Sequence, residues 1–322
     1  MKVFALQGFD RAPEVTEVDL PTPGPAEVRV RVRAASLNGF DLSVANSYLR
    51  GIMEHRFPVV LGKDYAGEVD AVGPNVEGYQ VGDRVFGVVM KDTLGDGSLG
   101  EYVTVPVAFG IAKLPDGIDF TEAAALGLAG AAAVDAFDAA NVTADDTVLV
   151  VGATGGVGQQ VLQLAVRAGA TVMATAHSEE EIELVRQLGA ARTVDYRGDV
   201  VEQVRAKSPE GVDVVLHFAG DPAPLVAVVK PGGTRGCQVV CVNTSEEVST
   251  DDGCHDESAR TAGVGAPGRV CAGRGGQAGP GRFAGRVDGP GRRGFVAVDW
   301  GGRVSAGAGE TGAGSRPGCG AE

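Results

Sequence analysis

The sequence predicts an α/β chain in two unlike parts, a β-rich, partly open barrel followed by a doubly wound parallel sheet. Three features point to it. Short alternating strands separated by Gly and Pro turns precede Pro115, strands and helices alternate from Thr147 onward, and a glycine-rich turn at Gly152–Gly158 joins the first of those strands to the first of those helices.

In the first part, Val28, Val30 and Val32 alternate with Arg29, Arg31 and Arg33, the period of two expected of a strand with one face in water. Further strands are expected at 66–72, 81–89 and 101–105, with turns at Pro21–Pro25, Gly73-Pro74, Gly82-Asp83 and Gly95–Gly97. The Ala-rich stretch Thr121–Ala140 reads as one helix starting at Thr121-Glu122. Beyond it, strands at 147–151, 171–175, 193–195 and 212–216 alternate with helices at 156–168, 179–188 and 200–206. That rhythm predicts a parallel sheet with helices on both faces. The expected divisions are 1–120, 121–234 and a tail at 235–322.

The tail has a composition of its own. Residues 235–322 hold 22 of the 50 glycines and all five cysteines (Cys237, Cys241, Cys254, Cys271 and Cys319). They contain no Leu, Ile, Lys, Tyr or Met, the last Leu being Leu225 and the last Lys being Lys230. Leucine is among the commonest residues of globular domains, so its loss over such a length marks a change in kind. The odd cysteine count and irregular spacing argue against a disulfide framework, and His255 beside Cys254 has no companions at zinc spacing. A disordered Gly/Arg/Ala segment is one reading. The preferred one is a GC-rich gene read in a shifted frame, starting between 235 and about 254, because Val239–Val242 still looks like a buried strand. Irregular structure is expected there.

Forty-two acidic against 28 basic residues leave a net charge of −14, which speaks against nucleic acid as a partner. No apolar run approaches the roughly 18 residues of a membrane span, and the N-terminus lacks a signal-peptide core. A cytoplasmic protein handling small molecules is expected.

Val148–Val151 leads into Gly152-Ala153-Thr154-Gly155-Gly156-Val157-Gly158 and then a helix. Small residues there let the backbone approach a pyrophosphate, while the helix N-terminus offers free N–H groups and the positive end of its dipole. The following strand ends in Ala176-His177-Ser178 with no Asp or Glu for the ribose hydroxyls, which favours NADP(H) over NAD. His177 and Ser178 suit a 2′-phosphate; Ser178 equally suits a helix cap before Glu179–Glu181.

With these residues in view, the chain resembles the medium-chain dehydrogenase/reductase superfamily, in its zinc-independent quinone oxidoreductase branch. The likeness covers about residues 1–234. Its carriers are Ala35–Asp41, Phe57–Gly67, Val81–Gly87, Glu101–Val103, Ala153–Gly158, Leu188–Ala190 and Val194–Tyr196, in the family's order. The resemblance implies a GroES-like barrel followed by a Rossmann sheet. Asn38 and Lys63-Asp64 stand where zinc-dependent relatives carry Cys and His-Glu, and no Cys occurs at 88–100, so a metal-free site is implied.

The implied activity is NADP-dependent hydride transfer to a quinone or enone. Asn38 would face the nicotinamide and Tyr48 the substrate, although a turn-forming Asn and a surface Tyr are the plain alternatives. Gly155, Gly156, Val157, Gly158, Ala153, Thr154, His177, Ser178 and Tyr196 would hold the cofactor. Lys63 reads as a solvated charge or a salt-bridge partner of Asp64, and His55 and His217 read as structural. Three departures qualify this expectation: Glu181 where relatives carry a Lys for the 2′-phosphate, Ala132 in place of a pocket Thr, and the altered tail. The resemblance also implies a homodimer, whose edge an altered tail would weaken. A catalytically silent NADP-binding protein, or an inactive product with a shifted C-terminus, is the alternative.

Overall fold

The computed structural model describes residues 1–230 and, beyond them, the strand segments 238–242, 260–264, 282–289, 292–299 and 303–307. β1 (Lys2–Leu6) pairs antiparallel with β2 (Glu14–Glu17) and with β4 (Val59–Val60). β3 (Glu27–Ala34) lies in a five-stranded antiparallel sheet with β5 (Asp64–Val72), β6 (Arg84–Val88), β7 (Tyr102–Pro106) and β8 (Ile111–Lys113), in the order β7-β3-β5-β6-β8. The expected alternation holds in β3: Val28 and Val30 are buried while Arg31 and Arg33 face water. Arg29 forks onto Asp70 with two bonds of 2.9 Å, tying β3 to β5. The sheet encloses Val28, Val30, Tyr65, Val69, Val85, Val103 and Ile111. The hydroxyl of the fully buried Tyr65 donates to the carbonyl of Gly110 at 2.9 Å.

A short helix that the sequence does not announce, α1 (Gly39–Ala45), follows β3. It fully buries only Asp41 and Val44 and leaves Leu42 exposed; Phe40, Val44 and Ala45 pack on the cluster of Leu6, Val59 and Leu61.

The expected single helix at 121–140 is instead two: α2 (Phe120–Ala124), capped by Asp119 rather than Thr121, and α3 (Leu128–Ala140). The cause of the break is distant in sequence. Asp64 on β5 accepts the backbone N–H of Leu128 at 2.7 Å, so a carboxylate sits over the start of α3. A side chain at Gly127 would lie 2.5 Å from that carboxylate and 2.8 Å from the carbonyl of Gly87, which leaves glycine at the junction.

The second part matches the expected winding. β9 (Thr147–Val151), α4 (Gly156–Arg167), β10 (Thr171–Thr175), α5 (Glu179–Gln187), β11 (Arg192–Val194), α6 (Val200–Lys207) and β12 (Val214–His217) follow in turn. With β13 (Gln238–Val242) and β14 (Arg260–Val264) the strands form a parallel sheet in the order β11-β10-β9-β12-β13-β14. β13 lies at the expected strand near 239–242. Alternate residues supply two cores: Val148, Val150, Val172, Ala174, Val214 and Leu216 pack under α3, α4 and α5, while Leu149, Met173 and Val215 pack with Val204 of α6 and Leu225 of a 3-10 turn at Ala223–Val228. Both faces are therefore covered, as a parallel sheet requires. β15 (Arg282–Gly289), β16 (Arg292–Asp299) and β17 (Arg303–Gly307) form a separate antiparallel sheet. Among the described residues no helix is long and apolar enough to cross a membrane.

Two predictions test this packing. Gly127→Ala should destabilise the protein by about 2 kcal/mol or more, because neither the Asp64 carboxylate nor the Gly87 carbonyl can recede cheaply; a thermal melt reads it. Asp135, buried in α3, has its carboxyl pushed up to about 7, by burial first and by the neighbouring Asp138 second. Such a group holds its proton longer when folded, so it costs stability as pH rises from about 4 to about 7 and no further beyond. Asp135→Asn should abolish that decline and, on linkage grounds, gain roughly 4 kcal/mol at pH 8, measured by urea unfolding across that range.

Candidate functional site

The C-terminal ends of β9, β10 and β12 and the turns that follow them frame a cavity of about 790 Å³. Its wall includes Gly152, Thr154–Gly158, Thr175, Tyr196, Asp199 and Phe218–Asp221. A crevice beyond the carboxyl ends of strands, where the sheet order turns back on itself, is where doubly wound folds receive ligands. Here that reversal lies between β9 and β12.

The glycine turn forms the cavity's floor, and each of its residues has a local reason. Gly152 takes φ +78°, a conformation that favours glycine. Its N–H donates to the Thr175 hydroxyl at 2.9 Å, tying the end of β9 to the end of β10. A side chain at Gly158 would come within 2.1 Å of the Gly152 carbonyl, so α4 can pack this close to β9 only with glycine there. Gly155 is the N-cap and offers no side chain, which leaves the first N–H groups of α4, from Gly156 onward, without intrahelical acceptors at the cavity wall. Ala153 is fully buried with its methyl in the core, so of the turn residues expected to hold the cofactor it alone lies outside the cavity wall. The Gln159 side chain braces the turn by donating to the Thr154 carbonyl at 2.7 Å.

At the far end, the Ser178 hydroxyl accepts the N–H of Glu181 at 3.2 Å and caps α5. His177 Nδ1 sits 2.9 Å from Asp195 Oδ1, and the His177 ring lies 5.8 Å from that of Tyr196. Of the three residues expected at the adenosine end, Tyr196 lines the cavity, while His177 and Ser178 stand behind it in the turn before α5.

Asn38 does not line the cavity wall; it lies at the start of α1, where Asp64 holds it in place. The Asn38 amide donates to Asp64 Oδ2 at 2.9 Å, Ser36 Oγ donates to the same oxygen at 2.6 Å, and Oδ1 takes the N–H of Leu128. Burial pushes the Asp64 carboxyl up, and these three donors pull it back. The Asn38 N–H donates to Asp41 Oδ2 at 2.8 Å, so Asp41 fixes the backbone at the start of α1. Because α3 begins at Leu128 and its Ala129 lies beside Gly156, Asp64 links Asn38 to the cofactor turn through one helical turn. Tyr48 is not drawn in: its side chain is 72 % exposed and outside the cavity wall.

Lys63 differs from both expectations for it. Its ammonium donates to the Val89 carbonyl at 3.0 Å and lies 4.9 Å over the Phe40 ring, rather than pairing with Asp64 or standing in open solvent. Burial pulls it down to about 8, against the pull of Asp41 and Asp96. His217 is enclosed in β12, where burial lowers its affinity for a proton, and His55 packs between Phe9 and Phe57.

The wall at Asp199 and at Phe218–Asp221 escaped the sequence reading. Its signal is positional, since these are the turns after the third and fourth parallel strands.

Two families match the chain: the alcohol dehydrogenase GroES-like domain over residues 24–116 and zinc-binding dehydrogenase over residues 156–253. The second match carries the likeness past 234, through β13. A chloroplastic quinone oxidoreductase of Triphysaria versicolor is 32% identical over 240 residues, spanning 72% of this chain and 70% of that protein. A mycocerosic acid synthase-like polyketide synthase of Mycolicibacterium smegmatis is 38% identical over 213 residues, 65% of this chain; the chain spans only 10% of that much longer protein. Among solved structures, AibC superposes with a TM-score of 0.73 at 28% identity, covering 82% of this chain and 81% of AibC. The CurK enoyl reductase follows at 0.66 and 28% (76% and 75% covered), and mycobacterial Rv1454c complexed with NADPH at 0.64 and 26% (74% and 73%). The chain belongs to the medium-chain dehydrogenase/reductase family, among its quinone oxidoreductase-like members.

A zinc ion does not fit the residues that stand beside Asn38. Both Asp64 oxygens are taken by N–H and O–H donors, Lys63 brings a positive charge, and among the described residues no three His, Cys, Asp or Glu side chains converge as metal ligands. A dinucleotide fits the glycine turn, where Cβ atoms are excluded at Gly158 and N–H groups lie open at the helix start. Gly158→Ala should therefore abolish nicotinamide dinucleotide binding, at least a hundredfold in Kd on the scale of a lost helix–strand contact. Fluorescence titration checks the affinity, and circular dichroism checks that the fold survives.

Proposed function

We propose that this chain is a metal-free NADPH-dependent reductase of quinones or enones. The observation that carries the proposal is the glycine turn opening onto a cavity of about 790 Å³, with Asn38 tethered through Asp64 to the helix beside that turn. The quinone oxidoreductase of Triphysaria versicolor and the CurK enoyl reductase support the two acceptor classes, and the NADPH complex of Rv1454c supports the cofactor. β10 itself ends without an acid, the sequence feature that speaks for NADPH.

In this reading residues 1–120 supply the substrate side and 121–234 the cofactor side. The N–H groups of Gly156 and Val157 bind the pyrophosphate at the start of α4, and Tyr196 packs beside the adenosine. When bound, the cofactor supplies a hydride to an electron-poor carbon. The protein's part is to orient and to exclude water. Asp64 fixes the rotamer of Asn38, so its amide is presented in one direction, and the buried carboxylate does this without exchanging a proton with substrate. The solvent delivers the proton that completes reduction.

Stopped-flow assays with NADPH and either a benzoquinone or a conjugated enone test the proposal. Turnover with one of them is expected. Cofactor binding without turnover on either would leave only a nucleotide-binding protein, and no binding would overturn the proposal. Asn38→Ala should lower kcat by about tenfold to a hundredfold, the range for a misplaced reacting group, while cofactor Kd stays within about twofold.

A further inference from the structure

We infer that Glu181 sets cofactor choice at the adenosine end, because its carboxylate already fills the anion cradle that the 2′-phosphate of NADPH needs. The inference rests on the reductase reading above and concerns the same cavity.

Glu181 is the third residue of α5, and its side chain turns back over the helix start. Its Oε2 accepts the N–H of His177 at 2.7 Å and that of Ser178 at 3.3 Å, and its Oε1 accepts the Tyr196 hydroxyl at 3.2 Å. Tyr196 belongs to the wall of the cavity that begins at the glycine turn, and the carboxylate stands directly behind it, bonded to its hydroxyl. These are the donors that a phosphate at the end of β10 would recruit: two backbone N–H groups at the positive end of a helix and a phenol. They also hold the Glu181 carboxyl below its ordinary range, the His177 N–H first, so it is an anion throughout neutral pH.

Two anions cannot share those donors. A 2′-phosphate carries about −1.5 to −2 charges at neutral pH, and it meets Glu181 with Glu179 and Glu180 on the same first turn. The only imidazole in the cluster, His177, already faces Asp195. To bind NADPH, Glu181 must swing out and release its three bonds. The 2′-hydroxyl of NADH is instead a donor, and a carboxylate is a suitable acceptor for it. The chain therefore takes NADH alongside NADPH, and the discrimination that the strand end would provide is largely cancelled.

Glu181 also closes a reciprocal cap with Ser178, so a variant must separate charge from capping. Glu181→Gln does so, since its amide oxygen accepts the same N–H groups. Titration of the full chain with NADPH, NADH and adenosine 2′,5′-bisphosphate is the test, with Glu180→Gln as a control of equal charge change one residue away. Glu181→Gln should tighten NADPH and the bisphosphate by about tenfold, the effect of relieving one close like-charge contact. NADH should be unchanged or weaker, Glu180→Gln should move the ratio less than about threefold on the same Coulomb scale, and the melting temperature should hold. If both cofactors bind the unaltered chain and the NADPH-to-NADH ratio stays constant in Glu181→Gln, the inference is overturned while the reductase reading stands. If neither cofactor binds the unaltered chain or the variants, the reductase reading falls and takes the inference with it.

Discussion

One buried carboxylate organises the molecule. Asp64 leaves β5 inside the first sheet and receives the Ser36 hydroxyl, the Asn38 amide and the N–H that opens α3. An isolated charge in such a place would be costly. Three donors converging on two oxygens turn it into a fixed point instead. Around it the Ala-rich segment divides at Gly127, α1 starts where it does, and the cofactor turn acquires a neighbour from the first part of the chain. Sixty-four residues separate Asp64 from Leu128, and the contact between them adds to the packing of Phe120, Ala123 and Ala124 on the first part of the chain.

Local patterns were legible where one rule dominated. The Val/Arg alternation of β3 survives because a half-buried strand permits little else, and β9 with its glycine turn survives because a strand, a tight turn and a helix must coexist within a dozen residues. The same holds for the parallel order, which follows from the βαβ rhythm. Features set at long range were not legible. Nothing in Leu126-Gly127-Leu128 announces a break, since its cause is on β5. Gly39–Ala45 is too short to announce a helix by its period: Phe40 and Val44 make a single apolar pair, Leu42 faces out, and Asp41 supplies the start.

The candidate site divides along the same line. The floor of the cavity could be read from the spacing of glycines, and the residues of its far wall could not, because Phe218–Asp221 become neighbours of Gly152 only once β12 lies beside β9. Lys63 shows the converse. Its position invited a pairing with the adjacent Asp64, yet Lys63 lies in the bend just before β5 and reaches the Val89 carbonyl, while Asp64, the first residue of the strand, turns to α3. Adjacency in sequence is poor guidance at the entry to a strand. The tail at 235–322 matches family sequence only as far as residue 253, and β13 and β14 extend the sheet by backbone pairing.

The clamp at Leu128 has a mechanical consequence. Because one side chain holds both the Asn38 amide and the first N–H of α3, the two cannot be displaced independently: a shift of α3 along its axis pulls on the carboxylate, and the carboxylate passes it to Asn38.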